Sequence, residues 1–183
     1  MLETTRLILR PLSLIDAPSI QAVASNCAIA DTMISIPHPY PDGEAERYIR
    51  TQLAERDAGQ AFPFVIEHKP DKGFSGMIAI RDIEPDHLQG ELSFWLAPKV
   101  WGKGYMSEAL NAMLRFGFED LRLNRLYAYH MVRNPGSGNV LQKNGFAQEG
   151  VLRQRVQKWG TFEDVKLWAI LRSDWHDRDL EPL

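Results

Sequence analysis

"ELSFWLAPKVWGKGYMSEAL", residues 91–110, is the stretch whose reading decides the fold. Its opening run of apolar and β-favouring residues reads as a strand. After Gly104 the period changes: Met106, Ala109, Leu110, Met113, Gly117 and Leu121 share one helical face, with Ser107, Asn111 and Arg115 opposite. Between strand and helix stand Gly102 and Gly104, at a place where glycine lets the backbone approach a ligand with no Cβ in the way. The first amides of a helix lack intrahelical partners and sit at the positive end of its dipole. A strand feeding a glycine turn and a helix start is therefore an anion site in outline, and a phosphate-bearing ligand is expected there.

Reading outward, "RLILRPL" (6–12) is a first strand, and Asp16 with Pro18 opens a helix that runs to about Ser25. The proline-rich loop "SIPHPYPD" (35–42) follows. Asp42 is placed to cap a second helix, with Ala45, Tyr48, Ile49 and Leu53 on one face and an end near Gly59. "FPFVIEH", "GMIAIRD" and "ELSFWLA" are three short apolar runs separated by polar turns, which predicts an antiparallel meander. "RLYAYHMV" (125–132) is strand-like, so the strand, long helix and strand around Gly102 form a βαβ unit with parallel strands. Asn134 and Pro135 start a short helix that Gly145 closes, with Phe146 as its hydrophobic partner. "GVLRQRVQK" and "EDVKLWAILR" flank "WGTF" as a terminal hairpin. The fold class is α/β (α+β), a mixed sheet with helices packed on it.

The 183 residues, 44% of them hydrophobic, suffice for one domain spanning 1–183 with a full core, and the tail from about residue 176 is polar and expected to fray. With 21 basic against 24 acidic residues the chain has no general attraction for nucleic acid or anionic membrane, so any phosphate must be held locally. A single cysteine, Cys27, excludes an intrachain disulfide and a cysteine zinc cluster, fits a reducing cytoplasm and reads as core. Acidic Glu3 and the alternating start are unlike a signal peptide, and no window reaches the ~18 apolar residues of a membrane span.

A Walker loop requires Ser or Thr after the lysine, whereas Gly104 follows Lys103. The dinucleotide fingerprint requires a small third residue where Ser107 stands and a turn directly after the strand, but residues 98–101 intervene. The stretch instead resembles the acetyl-CoA loop of the GNAT superfamily of N-acetyltransferases, Gln/Arg-x-x-Gly-x-Gly/Ala, standing here as Lys99-Val-Trp-Gly102-Lys-Gly104 with lysine first. "GELSFWLAPKVWGKGYMSEAL", "NPGSGNVLQKNGF" and "GTFEDVKLWAILRSDW" are similar to consecutive signatures of the RimJ/RimL-like branch, which acetylates ribosomal-protein N-termini, and the likeness covers residues 6–175. Asn139 departs from it, standing where that branch commonly carries arginine.

The resemblance implies a mixed, mostly antiparallel sheet of about seven strands, with a parallel pair (91–96 and 125–132) that splays to admit a pantetheine arm. Backbone groups of Phe94, Trp95 and Leu96 then pair with that arm. N–H groups of Trp101, Gly102, Lys103, Gly104 and Tyr105, with Met106, hold the diphosphate, and the Trp101 side chain acts as a cover. Asn134 either bonds the pantetheine amide or simply caps the helix at Pro135. Acetyl transfer from a thioester to an amine needs a deprotonated amine, a stabilised oxyanion and a protonated leaving thiolate. Glu91 is the leading base, Ser137 a candidate proton donor, and His130 reads as a core histidine with a base as the alternative. The acceptor is expected between the 35–42 loop, the 82–87 loop with Asp82, Glu84 and Asp86, and the hairpin near Trp159. The expected function is acetyl-CoA-dependent N-acetylation of a primary amine, foremost a protein N-terminal α-amine, by direct attack in a ternary complex. A small-molecule amine acyltransferase or a non-catalytic CoA-binding module is the alternative, and the chain is expected to be a monomer or homodimer.

Overall fold

The computed structural model describes residues 1–179. In chain order the elements are β1 (Leu2–Glu3), β2 (Leu7–Pro11), α1 (Ala17–Ala24), α2 (Cys27–Thr32), α3 (Glu44–Asp57), β3 (Phe62–His68), β4 (Gly73–Glu84), β5 (Gln89–Leu96), α4 (Tyr105–Arg115), β6 (Arg125–Met131), α5 (Pro135–Lys143), β7 (Ala147–Lys158), β8 (Thr161–Leu171) and α6 (Arg172–Asp179). The strands form one sheet in the order β1-β2-β3-β4-β5-β6-β8-β7. Every neighbouring pair is antiparallel except β5 and β6. The meander β3-β4-β5, the parallel β5-α4-β6 unit and the β7-β8 hairpin follow the sequence reading. The sheet has eight strands rather than about seven because the two-residue β1 folds back onto β2. No helix among the described residues is long and apolar enough to cross a membrane.

Alternation along β5 assigns its side chains to two cores. Leu92 and Leu96 join Ile78, Ile80 and Leu126 beneath α4, whose Met106, Ala109, Leu110 and Met113 are buried as their spacing requires. Trp95 joins Val65 and Met77 beneath α1 and α3, with Ile20, Ala45 and Ile49. Helix α4 is α-helical only to Arg115 and then widens into a π-helical turn, Phe116–Asp120. Gly117 lies in that turn because a Cβ there would stand 2.8 Å from Leu126 Cδ1 and 3.0 Å from Ile80 Cδ1.

Several local expectations are corrected. Asp16 precedes α1, but its side chain does not cap that helix. It is buried, accepting from Arg10 at 2.5 and 3.0 Å and from the Ser13 N–H at 2.9 Å. Burial pushes its carboxyl up, and the bonds from Arg10 and Ser13 outweigh that and hold it below its ordinary value. The residue capping α3 is Gly43, at φ +75°, and not Asp42. Helix α2 was not anticipated, although Asn26 caps it by accepting from the Ala28 N–H at 2.9 Å. Within α2, Ile29 and Ala30 turn inward and Cys27 is left exposed, so the cysteine is not core. Past β8 the chain continues as α6, in which buried Trp175 packs on Phe118 at 5.5 Å between ring centroids; of the tail expected to fray from about residue 176, residues 180–183 lie outside the described part.

Gly117→Val is expected to lower stability by about 1–3 kcal/mol, the usual cost of overpacking a helix–sheet contact. Urea unfolding reads this as a lower midpoint; an unchanged midpoint would mean that Leu126 and Ile80 yield freely.

Candidate active site

Strands β5 and β6 pair over only three positions, Gln89↔Arg125, Gly90↔Leu126 and Glu91↔Tyr127. Beyond them β5 stays on β4 as far as Leu96↔Gly76, and β6 stays on β8 as far as Met131↔Val165, so the two strands part inside the sheet. The Ala97 N–H donates to Ser75 O at 2.8 Å. In an antiparallel ladder every second residue bonds the same neighbour, so Ser93 and Trp95 point their backbone groups at β4 while Phe94 and Leu96 point theirs at the opening. Backbone groups on the open side need water or a ligand, as on any strand edge. The expected backbone role therefore fits Phe94 and Leu96 but not Trp95, whose indole packs 5.8 Å from the Phe74 ring. The Leu96 carbonyl is already engaged by Trp101 Nε1 at 2.7 Å, which folds the half-exposed indole over the end of β5.

At the start of α4, Gly102 and Gly104 adopt φ +73° and +76°. A Cβ on Gly102 would meet nothing within 4 Å, and one on Gly104 only Arg6 Nη2 at 3.5 Å, so the space before the helix is open. The turn is fastened from behind. Arg6 donates to the Lys103 carbonyl at 3.0 Å and to Glu108 at 2.6 Å, and its guanidinium lies 4.7 Å over the Tyr105 ring. Tyr105 in turn stacks on His68. Burial pushes the Glu108 carboxyl up, but bonds from Thr4 Oγ1, the Arg6 N–H and the Arg6 side chain together hold it below the ordinary range. The Lys103 side chain is exposed, and Met106 is buried with the core of α4.

Across the opening lies α5. Asn134 caps it, Oδ1 facing the Ser137 N–H at 3.4 Å, while its Nδ2 donates to Ser137 Oγ at 3.0 Å. That bond uses a lone pair on the hydroxyl and leaves its proton available to another acceptor. A cavity of about 420 Å³ runs from the glycine turn to α5, lined by Phe94, Trp95, Leu96, Trp101, Gly102, Gly104, Tyr105, Met106, Asn134 and Ser137 among others. Asn139 and, one turn on, Lys143 also line it, so a cation stands near the position where arginine was expected.

A second cavity of about 200 Å³ lies against the Glu91 face of the sheet. The two share Thr32, Met33, Phe94 and Ser137 and so meet where β5 and β6 part. Glu91 lines the second cavity with Arg81, Tyr129 and Arg155. Burial raises its carboxyl above the ordinary value; Arg81 and Arg155 pull it down, and Asp82 adds to the rise. His130 also lines it but is committed. A carbonyl only accepts and an indole N–H only donates, so the contacts to Met131 O (2.8 Å) and Trp168 Nε1 (2.9 Å) fix a neutral ring protonated on Nδ1, with Nε2 used by the indole. Burial lowers its pKa accordingly. Asp82, Glu84, Asp86 and Trp159 do not line this cavity or the adjoining one of about 190 Å³, whereas Ser35, Ile36, Pro37 and Tyr40 of the 35–42 loop do line the latter.

The Acetyltransferase (GNAT) domain family matches residues 6–147. The chain belongs to that family. An uncharacterized N-acetyltransferase of Bacillus subtilis, YoaA, is 31% identical over 94% of this chain and 97% of its own length. The ribosomal-protein-serine acetyltransferase of Escherichia coli is 34% identical over 51% of this chain and 52% of its own. The spermidine N-acetyltransferase of Vibrio cholerae, solved with CoA and spermine, superposes with a TM-score of 0.83 at 26% identity, over 94% of this chain and 99% of that one. Acyltransferase activity and acetyl-CoA as donor come with GNAT membership. The residues present suit that donor: open-faced amides at a helix start suit a diphosphate, and free backbone groups along β5 suit an amide-bearing arm.

Four contributors escaped the sequence reading. Thr32 and Met33, which line both GNAT cavities, end the unanticipated α2, whose only signal was Asn26 two residues before the Ala28 amide it caps. Arg6 sits in the bend before β2 and Arg155 on β7, where nothing in the local pattern separates an arginine that faces a cavity or a turn from a solvated one.

Gly104→Val is expected to raise the acetyl-CoA dissociation constant ~10-fold or more, since a β-branched residue resists positive φ and covers the amides. Calorimetry on the folded variant checks this; unchanged affinity would count against the turn as the diphosphate site.

Proposed function

We propose that this GNAT enzyme acetylates the α-amine of a peptide or protein N-terminus by direct attack in a ternary complex. The observation that carries this reading is the meeting of the two cavities at the parted strands, which lets donor and acceptor approach from opposite sides of the sheet. Acetyl-CoA supplies the activated acetyl group. Amides of residues 101–106 hold its diphosphate, with Lys143 as a nearby cation, and Phe94 and Leu96 pair with its arm. A cleft-facing N–H of Phe94 or Leu96 stabilises charge on the acyl oxygen. Glu91, tuned upward by burial, takes the proton of the incoming ammonium directly or through a water. Ser137, held by Asn134, gives a proton to the leaving thiolate.

The choice of acceptor rests on charge. The acceptor cavity has one carboxylate, Glu91, against two guanidinium groups, Arg81 and Arg155. A single ammonium can be accommodated beside Glu91, whereas the further ammonium groups of a polyamine would meet like charge. The E. coli relative named for ribosomal-protein serine supports a peptide acceptor. The V. cholerae enzyme solved with spermine favours the second reading, a polyamine acceptor, through its overall likeness.

Thiol release from acetyl-CoA distinguishes the two: peptide α-amines are expected to be turned over and spermidine is not, and the reverse result would establish the polyamine reading. Release on neither would leave a CoA-binding module. Because Glu91 must be ionised to act, activity is expected to fall as pH drops through its raised pKa, giving an acidic limb above the ordinary carboxylate range. In Glu91→Gln that limb should vanish and turnover fall by roughly 10²-fold; a retained limb would remove Glu91 as the base.

A further inference from the structure

The acceptor cavity holds a cation that the proposed chemistry does not use. Arg155 lines it from β7, and among the described residues its guanidinium has no hydrogen bond or ion pair. Its position is built by the backbone. The pairing of β7 with β8 slips between Leu152 and Val156, Gln154 takes φ +50°, and the Gln154 N–H donates to Asp164 Oδ1 at 2.7 Å. In a regular strand adjacent residues face opposite sides, yet Arg155 and Val156 both line this cavity. A bulge re-aims side chains in this way, and a non-glycine residue at positive φ costs free energy that the surrounding structure must offset. The second cation, Arg81, is cross-strand partner to Glu91 and is partly neutralised by Asp82 at 3.0 Å. The cavity thus presents, within a volume of about 200 Å³, a base and a guanidinium that, among the described residues, has no hydrogen bond or ion pair and acts on Glu91 only through its charge. A guanidinium fork matches a carboxylate in shape and charge.

We propose that the acceptor carries a carboxylate close to its reacting amine, and that Arg155, supported by Arg81, reads that carboxylate while Glu91 receives the amine. This rests on the peptide reading above and makes it narrower: the favoured acceptors are N-termini with Asp or Glu at the first or second position. A free amino acid presents the same pairing through its α-carboxylate and is the other source of this chemistry.

The test measures kcat/KM by thiol release for peptides beginning Ser-Asp, Ser-Asn and Ser-Lys, and for free serine and aspartate. In the wild-type enzyme Ser-Asp is expected to exceed its neutral isostere Ser-Asn by about 3–5-fold, the upper range of an exposed charge pair, since Arg155 is exposed. In Arg155→Gln the Ser-Asp to Ser-Asn ratio should collapse toward one, and Arg155→Glu should favour Ser-Lys. Recovery of the ratio in Arg155→Lys would tie it to charge and not to the fold of the hairpin. Equal wild-type rates on Ser-Asp and Ser-Asn, or a preference that survives Arg155→Gln, would overturn this inference while leaving the peptide reading standing. Turnover of the free amino acids but not of the peptides would overturn the peptide reading and keep the carboxylate. Turnover of none of them would overturn both.

Discussion

Parallel pairing between β5 and β6 stops after three residue pairs, and the working parts of the molecule depend on that stop. Each strand has a stronger antiparallel attachment on its other side, β5 to β4 and β6 to β8, and each follows that attachment as the sheet twists. The opening this leaves is an unusual object: a strand edge with free amides and carbonyls in the middle of a sheet. Such an edge needs a partner, and an extended amide-bearing chain is the partner whose chemistry fits it. The opening also removes the wall between the two faces of the sheet. That is why a cavity on the α4 side and a cavity on the Glu91 side have Phe94 and Ser137 in common.

Charge is distributed across this opening in a consistent way. On the donor side the positive features are backbone amides at the start of α4, pre-aimed because Arg6 ties the Lys103 carbonyl and Glu108 together beneath them. An anion held by amides needs no net positive charge on the chain, in keeping with a formal charge of −3. On the acceptor side a half-buried carboxylate sits between two arginines, with desolvation raising its pKa and the arginines restraining the rise. The neighbouring histidine is removed from proton chemistry by its indole and carbonyl partners. Tertiary contacts thus commit the histidine of this cavity, which leaves the proposed base role to Glu91.

Much of the fold was legible because it is written in periodicity. The change from strand to helical spacing around Gly104, the Asn134-Pro135 start with its Gly145 stop, and the residues around the "WGTF" turn each carry a local physical signal, and each element appears where that signal puts it. The misreadings share a different property. Asp16 and Asp42 are good capping residues by type, but Arg10 takes the first and a left-handed Gly43 replaces the second. Cys27 has a core-like composition around it, but the phase of a short helix turns Ile29 and Ala30 inward in its place. In each case the deciding partner is distant in the chain or depends on helical phase over too few residues to read.

The sequence by itself determined the order of elements, the glycine turn at a helix start and the family likeness, because these depend on neighbours a few residues apart. Only the tertiary structure decided that the Trp95 backbone turns away from the opening, that His130 has no lone pair to offer, and that Arg155 faces the same cavity as Glu91. Those outcomes depend on ladder phase, on a bulge and on contacts between residues as far apart as 130 and 168, which no local window contains. Backbone pattern is a short-range property, whereas the direction of a side chain and the charge it meets are set by whatever the fold brings alongside.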